Sequence, residues 1–302
     1  MAKRKAKVDH AQVMTDQIID LIEGGLVGGK WIRPWKCVGG FMPYNVLTGK
    51  AYSGINVLLG IIQGGGAFGT YKQWGEVGGQ IQGGQKACTY MLAPMNIERK
   101  DAAGNPVVNA SGDVDTFRMF RAFGVFNAQQ QQGWTPEQAD AVAFDDVEGA
   151  EQTIAATGAL IAHGESDRAF YSPGHDSIQM PAREAFSTAA GYYSTMLHEL
   201  VHWTGHSSRL DRDLNTSRFG DDAYAFEELV AELGATFLCA HFGIEQEEDH
   251  NHVKYVKHWL DIMRGDAKAI KDAASLAQKA VDFILKASEA QAQDDEDVKA
   301  AA

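Results

Sequence analysis

Apolar side chains recur every three to four residues along much of this chain, and that spacing predicts its helices. Residues 9–24 place Val13, Ile18, Ile19, Leu21 and Ile22 on one side, and the glycines at 24–25 and 28–29 end the pattern. Shorter helices are predicted over 54–62 and 71–78. Residues 87–95 and 116–127 alternate or are rich in aromatics, which predicts two strands joined through the polar stretch 98–114. The second half reads as a helix over 149–163 and two short strands, 169–171 and 176–180, around a Ser-Pro-Gly turn. Helices over 183–204, 222–242, 249–264 and 267–290 follow. The fold class is therefore α+β: a small α+β domain over 9–128, then a mainly helical domain with a small sheet over 150–291. Between them lies a polar, acidic linker, 129–149, opening on the glutamines 129–132. Residues 1–8 (basic) and 292–302 (acidic) are expected to lack structure.

Composition narrows this picture. The 302 residues suffice for two domains, and no run approaches the roughly 18 apolar residues of a membrane span. Cys37, Cys88 and Cys239 have no metal-ligand spacing and point to a reducing, cytoplasmic setting rather than a disulfide framework. The basic N-terminus precedes no apolar stretch, so it does not read as a secretory signal. The net charge of −13 would argue against nucleic acid, but it is unevenly spread. Residues 1–130 hold 14 basic and 9 acidic side chains, and the remainder 13 and 31, so only the first half has a basic surplus.

The sharpest chemistry lies in His198-Glu199-Leu200-Val201-His202. Histidines four apart on a helix are about 40° apart around its axis, so both can reach one metal ion. Glu199 flanks the open position as a general base. Thr195, His198, Glu199 and His202 share a polar arc on an otherwise apolar helix, as a zinc peptidase requires. Zinc is the expected cofactor, with another divalent metal such as Mn2+ as the alternative.

A catalytic zinc takes a third protein ligand and keeps one position for water. Ser208 stands where a metzincin would have its third histidine, which excludes that arrangement. On the next helix Phe226, Leu229, Val230, Leu233 and Phe237 form the apolar stripe, and Glu228 and Glu232 lie nearly opposite beside Ala231 and Ala235. This resembles the gluzincin arrangement, which makes Glu228 the ligand and Glu232 the carboxylate orienting a ligating histidine from behind. Glu227 is the alternative ligand. Tyr224, His206, Arg209 and His241 are candidate donors for a developing oxyanion. The strand 176–180 is a candidate edge for pairing with an extended peptide.

Single-stranded nucleic acid is held by cations for its phosphates and aromatic faces for its bases. Residues 30–36 interleave Trp31 and Trp35 with Lys30, Arg33 and Lys36; Lys50, Tyr52, Tyr71, Lys72 and Lys86 follow. No glycine-rich phosphate motif is present, so no nucleotide cofactor is expected.

The chain resembles the ArdC-type antirestriction proteins. The resemblance rests on Pro34-Trp35, Pro43-Tyr44-Asn45, Thr48-Gly49-Lys50-Ala51-Tyr52, Gly54-Ile55-Asn56 and Gly69-Thr70-Tyr71-Lys72-Gln73 in the first half. In the second half it rests on Ala169-Phe170-Tyr171-Ser172-Pro173, His198 through His206, and Tyr224 through Leu233. It implies an N-terminal single-stranded DNA-binding domain, with Asn45 and Asn56 added to the contact residues. It also implies a zincin-like metallopeptidase domain related to SprT and Spartan proteases, and protection of incoming plasmid or phage DNA from host restriction. A DNA-bound protein is the substrate expected if the domain is a DNA-directed protease. One departure stands out: glutamines occupy residues 77–85, a stretch richer in Lys and Arg in such proteins.

Overall fold

The computed structural model describes residues 10–27, 30–35, 42–109, 111–136, 146–164, 168–212, 222–246 and 253–301. Helix α1 (His10–Gly24) buries Met14, Ile18 and Ile22 and leads into a two-stranded ribbon of β1 (Leu26–Val27) and β2 (Lys30–Trp31). Strand β3 (Tyr44–Asn45) follows. The next helix, α2 (Ile55–Ile62), is apolar on every side, and its residues 55–61 are all buried, as an all-round apolar helix must be. Strand β4 (Ala67–Gly69) precedes α3 (Tyr71–Glu76), which opens on a capping box between Thr70 and Gln73.

After β5 (Gln80–Ile81) come the long strands β6 (Thr89–Glu98) and β7 (Thr116–Asn127), paired antiparallel over their length. They belong to a four-stranded sheet of order β3-β4-β7-β6. The polar connection 98–114 does turn back on itself, through bridges between Lys100 and Pro106 and between Val108 and Val114. Strand β8 (Gln131–Gln132) pairs with β5, so part of the stretch expected as linker is built into the first half. Residues 137–145 of that linker, residues 1–8 and Lys36 lie outside the described residues.

In the second half α4 (Asp146–Ala156) is shorter than expected. Gly158 takes a left-handed backbone (φ +69°), and the chain then forms β9 (Leu160–Gly164), which pairs parallel with a later strand. Periodicity merged helix and strand because both carry apolar residues. Strands β10 (Phe170–Ser172) and β11 (Ser177–Pro181) complete a sheet of order β10-β11-β9. Strand β11 therefore has a partner on each side, and the expectation that it offers a free edge to a peptide is corrected. Helix α5 (Ala189–Thr204) starts later than position 183, where the Thr188 side chain accepts a hydrogen bond from the Gly191 N–H (3.0 Å). Helices α6 (Asp222–His241), α7 (Val253–Gly265) and α8 (Ala269–Ala301) follow; the acidic tail expected to lack structure prolongs α8.

One apolar core crosses both halves. It joins α1, Trp31, Trp35 and α2 to α5, α6, α7 and α8. Trp31 packs edge-on against Trp35 and Trp259, with ring centroids 5.7 and 5.5 Å apart. Gln278 on α8 accepts a hydrogen bond from the Gly54 N–H (2.9 Å).

Candidate metal centre and nucleic-acid residues

Helices α5 and α6 cross closely because Gly234 has no side chain. A Cβ there would come within 2.7 Å of Val201. This approach sets Glu228 against the two histidines of α5. His198 Nε2 and His202 Nε2 lie 3.2 Å apart, and Glu228 reaches them at 3.6 and 3.7 Å respectively. A tetrahedral ion with bonds of 2.0–2.1 Å holds its ligand atoms about 3.3 Å apart, so these three side chains fit one divalent metal ion. Among the described residues this trio is the group with that geometry.

The electrostatics agree with such a site. Burial by itself would hold His198 down, but hydrogen bonding to Glu228 and the charges of Glu199, Glu228 and Glu232 push it up to about 9. Burial favours a neutral Glu228, yet His198 and His202 hold it down at about 2. Shifts of opposite sign mark a histidine–carboxylate charge pair, and the carboxylates that hold a proton on His198 would equally attract a metal cation. Glu199 is buried one residue beyond His198.

Glu227 faces the opposite side of His202, bonding its Nδ1 at 3.2 Å. It is itself held by Arg212, whose Nε and Nη2 donate at 3.0 and 2.8 Å. Arg212 also donates to Val201 O at 2.7 Å and Thr204 Oγ1 at 2.8 Å, tying the loop after α5 back to that helix. Glu227 thus sits behind a ligand candidate, while Glu228 sits beside it. Glu232 pairs with Arg33, whose Nη2 donates at 3.1 Å, and its charge also acts on His198. Arg212 was not anticipated, since its role depends on a loop whose direction no periodicity encodes.

Of the oxyanion candidates, Tyr224 is the one bonded to the centre: it shares hydrogen bonds with Glu228 and Tyr255. Burial, then the Glu228 charge, raises its pKa, so its hydroxyl keeps its proton. Arg209 is committed elsewhere, to Asp176 and Tyr171 with its guanidinium 3.9 Å above Trp203. His206 bonds Ser208 at 2.8 Å. His241 lies at the far, exposed end of α6.

Known proteins are similar to this chain. A model of the N-terminal domain of the anti-restriction factor ArdC matches residues 8–126, and a zincin-like metallopeptidase model matches residues 148–276. The metal-free crystal structure of the antirestriction ArdC protein from plasmid R388 matches with a TM-score of 0.74 and 36% identity, covering 93% of this chain and 98% of that one. The chain belongs to the ArdC antirestriction family. A Mn(II)-bound structure of the R388 protein matches with a TM-score of 0.72 and 34% identity, again over 93% and 98% of the two chains. Protein y4eC of Sinorhizobium fredii (strain NBRC 101917 / NGR234) is 36% identical over 286 residues, 91% of each chain. DNA primase TraC of Escherichia coli is 39% identical over 299 residues, 94% of this chain. The chain spans only 28% of that primase, and 20% of a second TraC that is 36% identical.

In this ArdC family member the residues expected to contact DNA fall into two groups. Trp31, Trp35 and Arg33 are buried, at 1%, 0% and 7% exposure. They cannot stack on bases or meet phosphates without opening the core, and that expectation is corrected: the loop composition reflected a seam between halves. Asn56 is also buried, exchanging hydrogen bonds of 2.8 and 2.9 Å with the Leu92 backbone. Tyr52 packs edge-on against Phe68. Asn45 shapes a turn, accepting from the Leu47 and Thr48 N–H groups (both 3.1 Å). By contrast Lys50, Lys72 and Lys86 are exposed, and Tyr71 is 66% exposed. Gln85, one of the glutamines in residues 77–85, has a structural use. Gln130 Nε2 donates to Gln85 Oε1 (3.0 Å) and to Lys86 O (2.8 Å), joining the loop after β5 to the glutamine run.

No described helix is long and apolar enough to cross a membrane.

Proposed function

We propose that this chain binds single-stranded DNA and protects incoming plasmid or phage DNA from host restriction, with zinc held by His198, His202 and Glu228. The observation that carries the metal part is the convergence of those three side chains at ligand spacing. Family membership and the basic surplus of the first half support the DNA part. A cytoplasmic setting accords with the cysteine usage.

A second reading is peptide hydrolysis of a DNA-bound protein, and the buried Glu199 favours it, because a purely structural zinc needs no general base. The metal, when bound, would lower the pKa of a coordinated water and polarise a substrate carbonyl. Glu199 takes the proton of the attacking water and passes it to the leaving amine. Tyr224, still protonated, donates to the developing oxyanion. Glu227, clamped by Arg212, keeps the His202 ring in place.

Transfer of unmodified DNA into a restricting host, with wild-type chain and Glu199→Gln, tests both readings. Protection by wild type is expected. Equal protection by Glu199→Gln would remove proteolysis from the mechanism, and no protection by wild type would overturn the antirestriction reading for this chain.

A further inference from the structure

The stem of the β6–β7 ribbon carries chemistry that the metal centre does not use. Residues 116–121 are exposed one after another, so both faces of the strand meet solvent. Yet Phe117, Met119 and Phe120 are among them, with Phe120 54% exposed. Side chains alternate along a strand. One face therefore presents Phe117, Arg121 and Phe123, and the other presents Arg118 and Phe120.

Every ring has a cation beside it. Arg99 lies 5.7 Å from the centroid of Phe117, Arg118 6.0 Å from Phe120 and Arg121 5.3 Å from Phe123. Lys271 on α8 approaches Phe120 at 5.7 Å. Residues 89–97 and 116–127 contain two arginines and no carboxylate. The acidic groups collect at the far end, where Asp101 accepts from the Ala103 and Asn105 N–H groups (2.9 Å each) and Asp115 pairs with Arg99 at 3.1 Å.

Exposed rings interleaved with cations suit one kind of partner. An apolar protein surface would satisfy the rings and strand the arginines, whereas a single strand offers bases to the first and phosphates to the second. The seven residues from Phe117 to Phe123 span roughly 20 Å, long enough to follow several nucleotides. We propose that a single nucleic-acid strand follows the edge of β7 that β4 leaves unpaired before Phe126, where side chains of both faces border it, with Phe117, Phe120 and Phe123 stacking on bases and Arg118 and Arg121 meeting phosphates. This rests on the DNA-binding reading above and assigns it a surface away from the buried tryptophans.

The test is fluorescence anisotropy of a labelled oligothymidylate with the full chain and three double variants. Phe117→Ala with Phe120→Ala should weaken binding at least tenfold, while Phe117→Trp with Phe120→Trp should keep it. Arg118→Ala with Arg121→Ala should weaken binding and flatten the plot of log affinity against log salt by about 1.4, the share of two phosphate contacts. Wild-type affinity and salt slope in both alanine variants would overturn the surface while leaving DNA binding intact. Failure of the wild type to bind would overturn both. Cross-linking of unmodified chain to a 5-iodouracil oligonucleotide addresses the surface without substitution. Attachment within residues 117–123 is expected, and attachment confined to other peptides would overturn it.

Discussion

Arg33 and Glu232 meet at the seam between the two halves, and both side chains are almost wholly out of solvent. Removing one partner from such a pair leaves a buried charge unpaired, which costs about 3–5 kcal/mol. Arg33→Met is therefore expected to lower the unfolding free energy obtained from urea titration by that amount. Adding Glu232→Leu should recover most of it, because an apolar pair of similar volume needs no desolvation. A double-mutant cycle measures this coupling; additive losses would show that the pair is not the cause. The choice between neighbouring carboxylates also belongs to this scale. Glu227 and Glu228 are adjacent and identical, and helical phase alone separates them by about 100°. That rotation sends one to the imidazole face shared with His198 and the other to Nδ1 of His202.

Among the elements, the crossing of α5 and α6 decides whether there is a metal centre. Glycine inside a helix costs about 1 kcal/mol relative to alanine, so Gly234 weakens α6 locally in return for the close crossing. Gly234→Val is expected to push the helices apart and separate Glu228 from His198 and His202. Metal affinity should fall at least tenfold in a calorimetric titration, with helical content by circular dichroism preserved. Unchanged affinity would mean that the site tolerates a wider crossing. The helix pattern around His198 and the apolar stripe of α6 were legible in the sequence because both obey the 3.6-residue period. The strand β9 was not, since Leu160 and Ile161 continue an apolar pattern and only Gly158, with its positive φ, breaks it. Sheet order was also beyond local pattern: β11 is central because the distant β9 comes to its side.

At the scale of the molecule, the halves share a core, and Trp35 lies in it with no exposure. Trp35→Ala should cost about 3–5 kcal/mol. Because the core is continuous, loss should appear as one earlier transition in which tryptophan fluorescence and circular dichroism coincide. Two separated transitions would show that the halves unfold independently. The sequence by itself determined the helices, the histidine pair with its glutamate, and the α+β class, because each depends on spacing within a short stretch of chain. Motif order likewise sufficed for the family. The tertiary structure decided which carboxylate stands beside the histidines, which aromatics are core and which face solvent. Those properties depend on what a residue packs against: Trp31 meets Trp259 across the fold, and no local pattern distinguishes it from Phe120, which is 54% exposed beside Arg118 and Lys271.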